Sequence, residues 1–264
     1  MINVNDPPRA VDDRVTVDED SSRARIYVLA NDEYLPDPPE TLTIVKATDG
    51  DHGDVRIASK GARLEYTPEE DYYGRDELTY RIDDGHGGRA TGKVVITVKN
   101  VNDPPLARRD VAEMNEDSGP NPIEVLANDT YEPDPRETLT IVGVTRGKYG
   151  AATIVDGGAR LTYRPDDDFY GTDAFAYTIG DGNGGYHTAS VDVTVLGIND
   201  RPRTEDDSAD TQEDTPVTID VLANDTDIDG NLVPSTVHVV SGPSHGMTTV
   251  DSGNGKITYS PASD

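Results

Sequence analysis

The chain has 264 residues and carries 51 Asp and Glu against 23 Lys and Arg, which gives a formal net charge of −28 at pH 7. This charge repels nucleic acids and anionic membrane surfaces, so it excludes them as partners and favours cations. The sequence has no Cys and no Trp, and only two Phe. It therefore has no disulfides and no Cys-ligated zinc, and it predicts several small units instead of one large core.

Internal repeats dominate the sequence. Three short motifs recur with a period of 97 or 96 residues, which is too long for a solenoid and suits a module that folds on its own. The motifs are (Val/Ile)-Asn-Asp at 4–6, 101–103 and 198–200, Glu-Asp at 19–20, 116–117 and 213–214, and Leu-Ala-Asn-Asp at 29–32, 126–129 and 222–225. The sequence thus predicts three units, at 1–100, 101–197 and 198–264, of which the third lacks its last two strands.

Each unit alternates apolar and polar residues with the period of a β-strand. Leu78, Tyr80 and Ile82, for example, lie on one face of such a segment. Seven short strands separated by Pro, Gly, Asn or Asp indicate an all-β chain of immunoglobulin-like sandwiches arranged end to end. In the first unit we expect strands near 11–17, 25–29, 41–47, 54–58, 62–66, 77–82 and 91–98.

The junctions between units are short and stiff. Asn-Asp-Pro-Pro at the first junction, and Asn-Asp-Arg-Pro at the second, follow the last predicted strand without a Gly/Ser tract. Proline restricts both itself and the residue before it. Loops from both neighbouring units should therefore converge on each junction. Clustered carboxylates raise one another's pKa unless a cation lies among them. A hard divalent ion such as Ca2+, which takes six to eight oxygen ligands, fits this supply.

One loop of the third unit resembles a known calcium loop locally. Asp225, Asp227 and Asp229, followed by Gly230, match the first half of an EF-hand loop, but Thr236 stands where its bidentate Glu belongs. Two interpretations stay open, a calcium turn completed by another loop and an Asx-rich turn that needs only water. The matching stretches with Asp37 in the first unit and Asp134 in the second are looser.

These motifs together resemble the bacterial cadherin-like tandem repeats found in large surface proteins and RTX-type adhesins. Further shared marks are Tyr-Gly-x-Asp-x-(Leu/Phe)-x-Tyr and Asp-Gly-x-Gly-Gly. The resemblance implies β-sandwich modules whose joints bind calcium on the bacterial cell surface. By analogy with cadherins it implies Glu19, Asn102, Asp103 and Asp129 as ligands at the first joint, and Glu116, Asn199, Asp200, Asp225 and Asp227 at the second, to which the loop pattern adds Asp229.

The leading hypothesis is a calcium-rigidified stalk segment of an extracellular bacterial surface protein or adhesin. The alternative is a set of modules that bind polysaccharide or a like module on another cell, with Tyr72-Tyr73 and Phe169-Tyr170 as stacking residues or, more simply, as structural corners. No enzymatic activity is expected, because every acidic motif has a counterpart in a neighbouring unit. The histidines are not predicted to be ligands. No signal peptide and no membrane insertion are predicted, because Met1 precedes polar sequence and no apolar run is long enough.

Overall fold

A computed structural model describes residues 4–34 and 40–263, and these residues form an all-β chain of tandem sheets. The all-β prediction is confirmed. The first two units each contain a four-stranded and a three-stranded sheet, and the third contains one three-stranded sheet. Within the described ranges, no helix has the length and hydropathy to cross a membrane.

The first unit has the seven strands predicted from its alternation. Their order is β1-β7-β6-β3 in one sheet and β2-β5-β4 in the other, and β1 runs parallel to β7 while the other pairs are antiparallel. The second strand ends earlier than expected, because a single 3-10 turn at Val28–Ala30 follows it and buries Val28 in the core. The strands are β1 Asp13–Asp18, β2 Ala24–Ile26, β3 Thr43–Ala47, β4 Gly53–Ala58, β5 Arg63–Pro68, β6 Gly74–Asp83 and β7 Arg89–Lys99.

The second unit repeats this topology strand for strand. Its sheets have the orders β8-β14-β13-β10 and β9-β12-β11, with β8 parallel to β14. Single 3-10 turns occur at Val125–Ala127 and Asp156–Gly158. The strands are β8 Asp110–Asn115, β9 Asn121–Ile123, β10 Thr140–Val144, β11 Gly150–Val155, β12 Arg160–Pro165, β13 Gly171–Gly180 and β14 Tyr186–Leu196.

The third unit forms only the counterpart of the three-stranded sheet. It contains β15 Val217–Ile219, β16 Gly246–Val250 and β17 Ile257–Pro261 in the order β15-β17-β16, with a 3-10 turn at Pro234–Thr236. Over residues 198–263, the part of this unit that the structure describes, no large hydrophobic side chain is buried. Met247 on β16, for example, is 70% exposed.

Two separate cores hold the first two units together. In the first unit the predicted inward face of β6, formed by Leu78, Tyr80 and Ile82, is at most 2% exposed, and Val94 and Ile96 of β7 are fully buried beside it. The second unit buries the equivalent residues. Each such side chain contributes about 1.5–3 kcal/mol to folding. These cores fix the sheet ends, and therefore the loops that meet at the junctions.

A pair of carboxylates lies beside the hydroxyl of the buried Tyr80. This hydroxyl is 2.9 Å from Asp32 Oδ1, and it also contacts Asp13, whose Oδ2 is buried without a hydrogen-bond partner. Burial, together with the nearby charges of Asp32 and Asp12, raises the pKa of Asp13 to about 6. The second unit repeats the arrangement with Asp110, whose Oδ2 is also buried and unpartnered.

We therefore expect Asp13→Asn to stabilise the first unit at pH 7.5 by about 1 kcal/mol and to have little effect at pH 4. Because the folded-state pKa is raised, the proton on Asp13 stabilises the fold fully below the ordinary value of 3.8, and this contribution is lost as pH rises through about 6. Calorimetry at the two pH values measures the effect. Asp110→Asn is the matched control and should shift the transition of the second unit instead. Equal destabilisation by Asp13→Asn at both pH values would contradict the assignment.

Candidate metal centres at the unit joints

Three carboxylates from three different parts of the chain meet at the first joint. Glu19 follows β1 of the first unit, Asp103 lies in the linker, and Asp134 belongs to the loop before β10 of the second unit. One oxygen from each lies within 4.8 Å of the others. Glu19 and Asp134 are each only 3% exposed. The joint therefore brings acids of neighbouring units into one small, water-poor cluster.

Backbone hydrogen bonds hold these carboxylates in place. Glu19 accepts the N–H of Val101 at 2.6 Å, and Asp134 accepts the N–H of Asp103 at 2.6 Å and the side-chain amide of Asn100 at 2.5 Å. Two other carboxylate oxygens, Glu19 Oε2 and Asp103 Oδ2, are buried and have no hydrogen-bond partner in the part of the chain that the structure describes. A buried carboxylate oxygen without a partner is costly unless a cation binds it. The two orphaned oxygens therefore fit a bound metal ion.

The electrostatics of the first joint also favour a cation. Burial raises the pKa of both Glu19 and Asp103, and the charges of neighbouring acids raise it further. Asp20 acts on both groups, and Asp71 acts on Asp103. The donor set consists of carboxylates alone, which matches a hard cation such as Ca2+ better than a soft one.

The second joint repeats the first with one more cluster. Glu116, Asp200 and Asp229 form one group, and Asp200 also joins Asp117 and Asp168 in another. Glu116 is 2% exposed and accepts the N–H of Ile198 at 2.7 Å, as Glu19 does with Val101. Asp200 donates its N–H to Asp229 at 2.7 Å, and its Oδ2 is buried without a partner. Two overlapping groups of carboxylates can hold more than one ion.

The predicted linker asparagines lie beside the clusters and have other partners. The amide of Asn102 donates to Asp181 Oδ2 at 3.1 Å, which ties the linker to the loop between β13 and β14. The amide of Asn199 donates to the carbonyl of Asp200. Their role as ligands stays a prediction, because these hydrogen bonds use the amide nitrogen and leave open what the amide oxygen binds. Their placement indicates that they orient the linker next to the cluster.

The aspartates of the Leu-Ala-Asn-Asp motif lie inside the units. Asp129 accepts the N–H of Arg108 at 2.7 Å and contacts the hydroxyl of Tyr177 at 3.1 Å, and Asp225 accepts the N–H of Glu205 at 2.9 Å. Neither belongs to the groups of joint acids described above, but Asp225 and Asp227 line one open pocket together with Asn199 of the linker. Asp227 accepts the N–H of Asp229 at 2.9 Å, so it shapes the turn that presents Asp229.

Sequence reasoning assigned the ligand role in the second unit to Asp129, whereas Asp134 reaches the first joint. The sequence indicates Asp134 only as part of the looser calcium-loop stretch of the second unit. It does not predict Asp20 and Asp71 near the first joint, or Asp117 and Asp168 at the second. The signal that could have found them is the repeat itself, because Asp117 and Asp168 each lie 97 residues after their counterparts. Asp37, which precedes Asp134 by the same interval, lies outside the described residues.

In each of the aromatic pairs Tyr72-Tyr73 and Phe169-Tyr170, one ring is packed against another ring and the other is exposed. The ring of Tyr72 stacks on His52 at 3.9 Å, and Phe169 stacks on Tyr149 at 4.3 Å, which gives both a structural role. Tyr73 and Tyr170 are 42% and 64% exposed. Polysaccharide binding therefore stays a prediction, and these two exposed rings are the residues on which it depends.

Comparisons with known proteins agree with the repeat pattern. A family model described as "Bacterial Ig domain" matches residues 5–97, 102–194 and 199–264. These boundaries correspond to the three units. No curated protein sequence matches the chain significantly.

Solved structures with similar folds are tandem cadherin ectodomains. A crystal structure of human CDH23 EC21-23 superposes with a TM-score of 0.58 at 16% sequence identity, covering 98% of this chain and 91% of that one. The extracellular cadherin domains 1-5 of Protocadherin Gamma B2 give a TM-score of 0.57 at 16% identity, covering 100% of this chain but only 55% of the other. At this identity the likeness shows the fold alone, a tandem of cadherin-like immunoglobulin modules.

Proposed function

The chain belongs to the bacterial Ig domain family, and from that premise we propose that it is a calcium-stiffened stalk segment of an extracellular bacterial surface protein. The single observation that carries the proposal is the carboxylate cluster at each joint, with acids from neighbouring units and buried oxygens that have no partner. A bound cation satisfies such oxygens and leaves them charged.

The mechanism is electrostatic. Two unit charges 4 Å apart near a protein surface repel by about 4 kcal/mol, so without calcium the acids of Glu19, Asp103 and Asp134 push the first two units apart. Glu19, Asp103 and Asp134 would hold the Ca2+ together, and its attraction for all three carboxylates would outweigh their mutual repulsion. The linker then loses its freedom to bend, and the neighbouring units become one rod. An affinity of the order of 10⁻⁴–10⁻³ M, typical of extracellular modules, suits calcium outside the cell.

Small-angle scattering of this chain with calcium and with a chelator tests the proposal. In calcium we expect a larger radius of gyration and a narrower distribution of end-to-end distances, because the joints straighten and stiffen. Mg2+ at the same concentration is the control and should have a much smaller effect, because it retains its waters and demands octahedral geometry. Identical scattering curves with calcium and with chelator would contradict the proposal.

A further inference from the structure

A different kind of cluster lies at the outer end of the first unit, away from both joints. The loop between β6 and β7 carries Asp84 and His86, and the segment before β3 brings Glu40 against them. One potential ligand atom from each lies within 4.8 Å of the others. Two carboxylates and one imidazole form a donor set that neither joint contains.

The carboxylates of this cluster are held in place and shielded from water. Asp84 is 1% exposed, and its Oδ1 accepts the backbone N–H of His86 at 2.7 Å and that of Gly88 at 3.0 Å. Its Oδ2 accepts the amide of Asn5 at 3.0 Å. The close packing needs glycine at position 88, because a Cβ there would lie 2.1 Å from Asp84 Oδ2. The protein thus fixes one carboxylate ligand before any ion binds.

Glu40 supplies an independent sign of a missing ligand. Its side chain is 7% exposed, and its Oε2 is buried without a hydrogen-bond partner among residues 4–34 and 40–263. Its Oε1 lies 3.4 Å from His86 Nδ1. The same nitrogen lies 3.3 Å from the carbonyl oxygen of Asp84. Both separations are long for hydrogen bonds, and the distance to Glu40 is close to the edge of a tetrahedron around a zinc ion with N and O ligands, roughly 3.4 Å. His86 itself is 65% exposed, which leaves an entry path and room for water ligands.

The second unit provides an internal comparison. Glu137 and Asp181 occupy the positions of Glu40 and Asp84, and Asn183 occupies that of His86. There the amide of Asn183 donates to Glu137 Oε1 at 2.7 Å, so an ordinary hydrogen bond takes the place of the contact between Glu40 and His86. Glu137 Oε2, like Glu40 Oε2, has no hydrogen-bond partner among the described residues, so the two units differ at the position of His86 and not in the unpartnered oxygen. The side-chain amide of Asn183 makes this contact by donating an N–H, whereas an unprotonated imidazole nitrogen of His86 can coordinate a metal ion. The two units thus share the carboxylate pair and differ in the residue that selects the cation.

We propose that Glu40, Asp84 and His86 bind a first-row transition-metal cation, with Zn2+ as its representative. Imidazole with carboxylates suits Zn2+, whereas Ca2+ prefers oxygen ligands alone. The site takes one ligand from each residue and leaves a coordination position for water or for a group from another molecule. It shares no residue with the joints, so it stands or falls independently of the calcium proposal.

Calorimetric titration of the whole chain with Zn2+ in excess calcium chloride tests the site, because calcium then competes for the joint acids. We expect His86→Asn to remove one zinc equivalent and to leave the fold unchanged, because the second unit carries Asn at that position. Glu40→Gln should weaken the same site by about tenfold or more, because it removes one of three ligands. Asn183→His should add one equivalent.

Nitrogen-15 NMR of the imidazoles gives a readout that stoichiometry alone does not. The chain has five histidines, and we expect zinc to shift the ring nitrogens of His86 at substoichiometric concentrations while the other four stay in place. Zinc binding that is equal in the wild-type chain and in His86→Asn would overturn the proposal. So would His86 resonances that do not move, or an Asn183→His variant that gains no zinc equivalent.

Discussion

Glu19→Gln is expected to abolish calcium-dependent stiffening at the first joint and to leave the second joint unaffected. Glutamine keeps the shape of the side chain and an oxygen that accepts the N–H of Val101. It removes the negative charge from a cluster whose remaining acids, Asp103 and Asp134, must then bind the ion with one fewer anionic ligand. We expect calcium affinity at this joint to fall by roughly tenfold or more.

The absence of cysteine from the sequence makes each joint separately measurable. Spin labels at Asp54→Cys and Ala151→Cys, two exposed strand positions 97 residues apart, report on the first joint. Labels at Ala151→Cys and Met247→Cys report on the second. With calcium, the distance distribution across the first joint should be broader in Glu19→Gln than in the parent chain. Glu116→Gln, the matched variant, should broaden only the second.

Removal of calcium should reverse which of the two proteins, the parent chain or Glu19→Gln, has the broader distance distribution across the first joint. In chelator the parent chain holds the charges of Glu19, Asp103 and Asp134 against one another, whereas Glu19→Gln has fewer repulsive pairs. The variant should therefore show the narrower distribution in chelator and the broader one in calcium. This crossover distinguishes loss of a ligand from simple loosening of the linker, which would broaden both distributions. If Glu19→Gln had the broader distance distribution both in calcium and in chelator, the assigned role of Glu19 would be excluded.

The internal repeat and the alternation of apolar and polar residues are enough to predict most of the fold. Alternation placed Leu78, Tyr80 and Ile82 on the inward face, where they are buried, because one face of a sandwich strand must meet the other sheet. It did not reveal that the second strand stops at Ile26. Val28 is apolar and is buried on the 3-10 turn, as it would be on a strand. In so short a segment, the pattern of apolar and polar residues therefore does not distinguish the two structures.

The joint was harder to predict than the fold, because it depends on loop paths. Glu19 and Asp103 lie next to a strand end and a proline-stiffened linker, so their meeting follows from local geometry. Asp129 and Asp134 are five residues apart in one loop, and only the path of that loop decides which of them reaches the linker. Asp129 instead accepts hydrogen bonds from Arg108 and Tyr177 inside the unit. Its assignment as a ligand stays a prediction that the structure does not support by proximity.

Asp76 is a buried acid with a structural role that does not involve calcium. It is 2% exposed and accepts the hydroxyl of Tyr66 at 2.7 Å and the backbone N–H groups of Asp51 at 2.9 Å and Glu77 at 2.7 Å. Gly50 lies so close that a Cβ there would be 2.0 Å from Asp76 Oδ2. Asp173 repeats the arrangement in the second unit with Tyr163.

We therefore expect Asp76→Ala to destabilise the first unit by about 3 kcal/mol or more. The change removes the carboxylate that accepts the buried Tyr66 hydroxyl and leaves this hydroxyl only the carbonyl of His52 at 3.1 Å. It also removes the acceptor of the backbone N–H groups of Asp51, His52 and Glu77. Differential scanning calorimetry should show the transition of the first unit at a lower temperature and that of the second unit unchanged. Asp173→Ala should give the converse result. A lowered transition for both units in either variant would mean that the two cores do not unfold independently.

Asp76 and Asp13 should change the stability of the first unit with opposite dependence on pH. Burial alone would raise the pKa of Asp76, but hydrogen bonds from Tyr66 and from three backbone N–H groups outweigh burial and hold the pKa below its usual value. The stability that this carboxylate contributes is therefore present above the unfolded pKa of about 3.9 and is lost as pH falls through the lower folded value. The difference in melting temperature between the parent chain and Asp76→Ala should thus be largest near neutral pH and shrink in strong acid. Asp13→Asn should show the opposite trend, with its stabilising effect largest above about pH 6 and absent in acid. Asp76 thus stabilises the first unit when it is charged, and Asp13 stabilises it when it is neutral. The pH dependence of the stability therefore follows from these individual groups and not from the net charge of the chain alone.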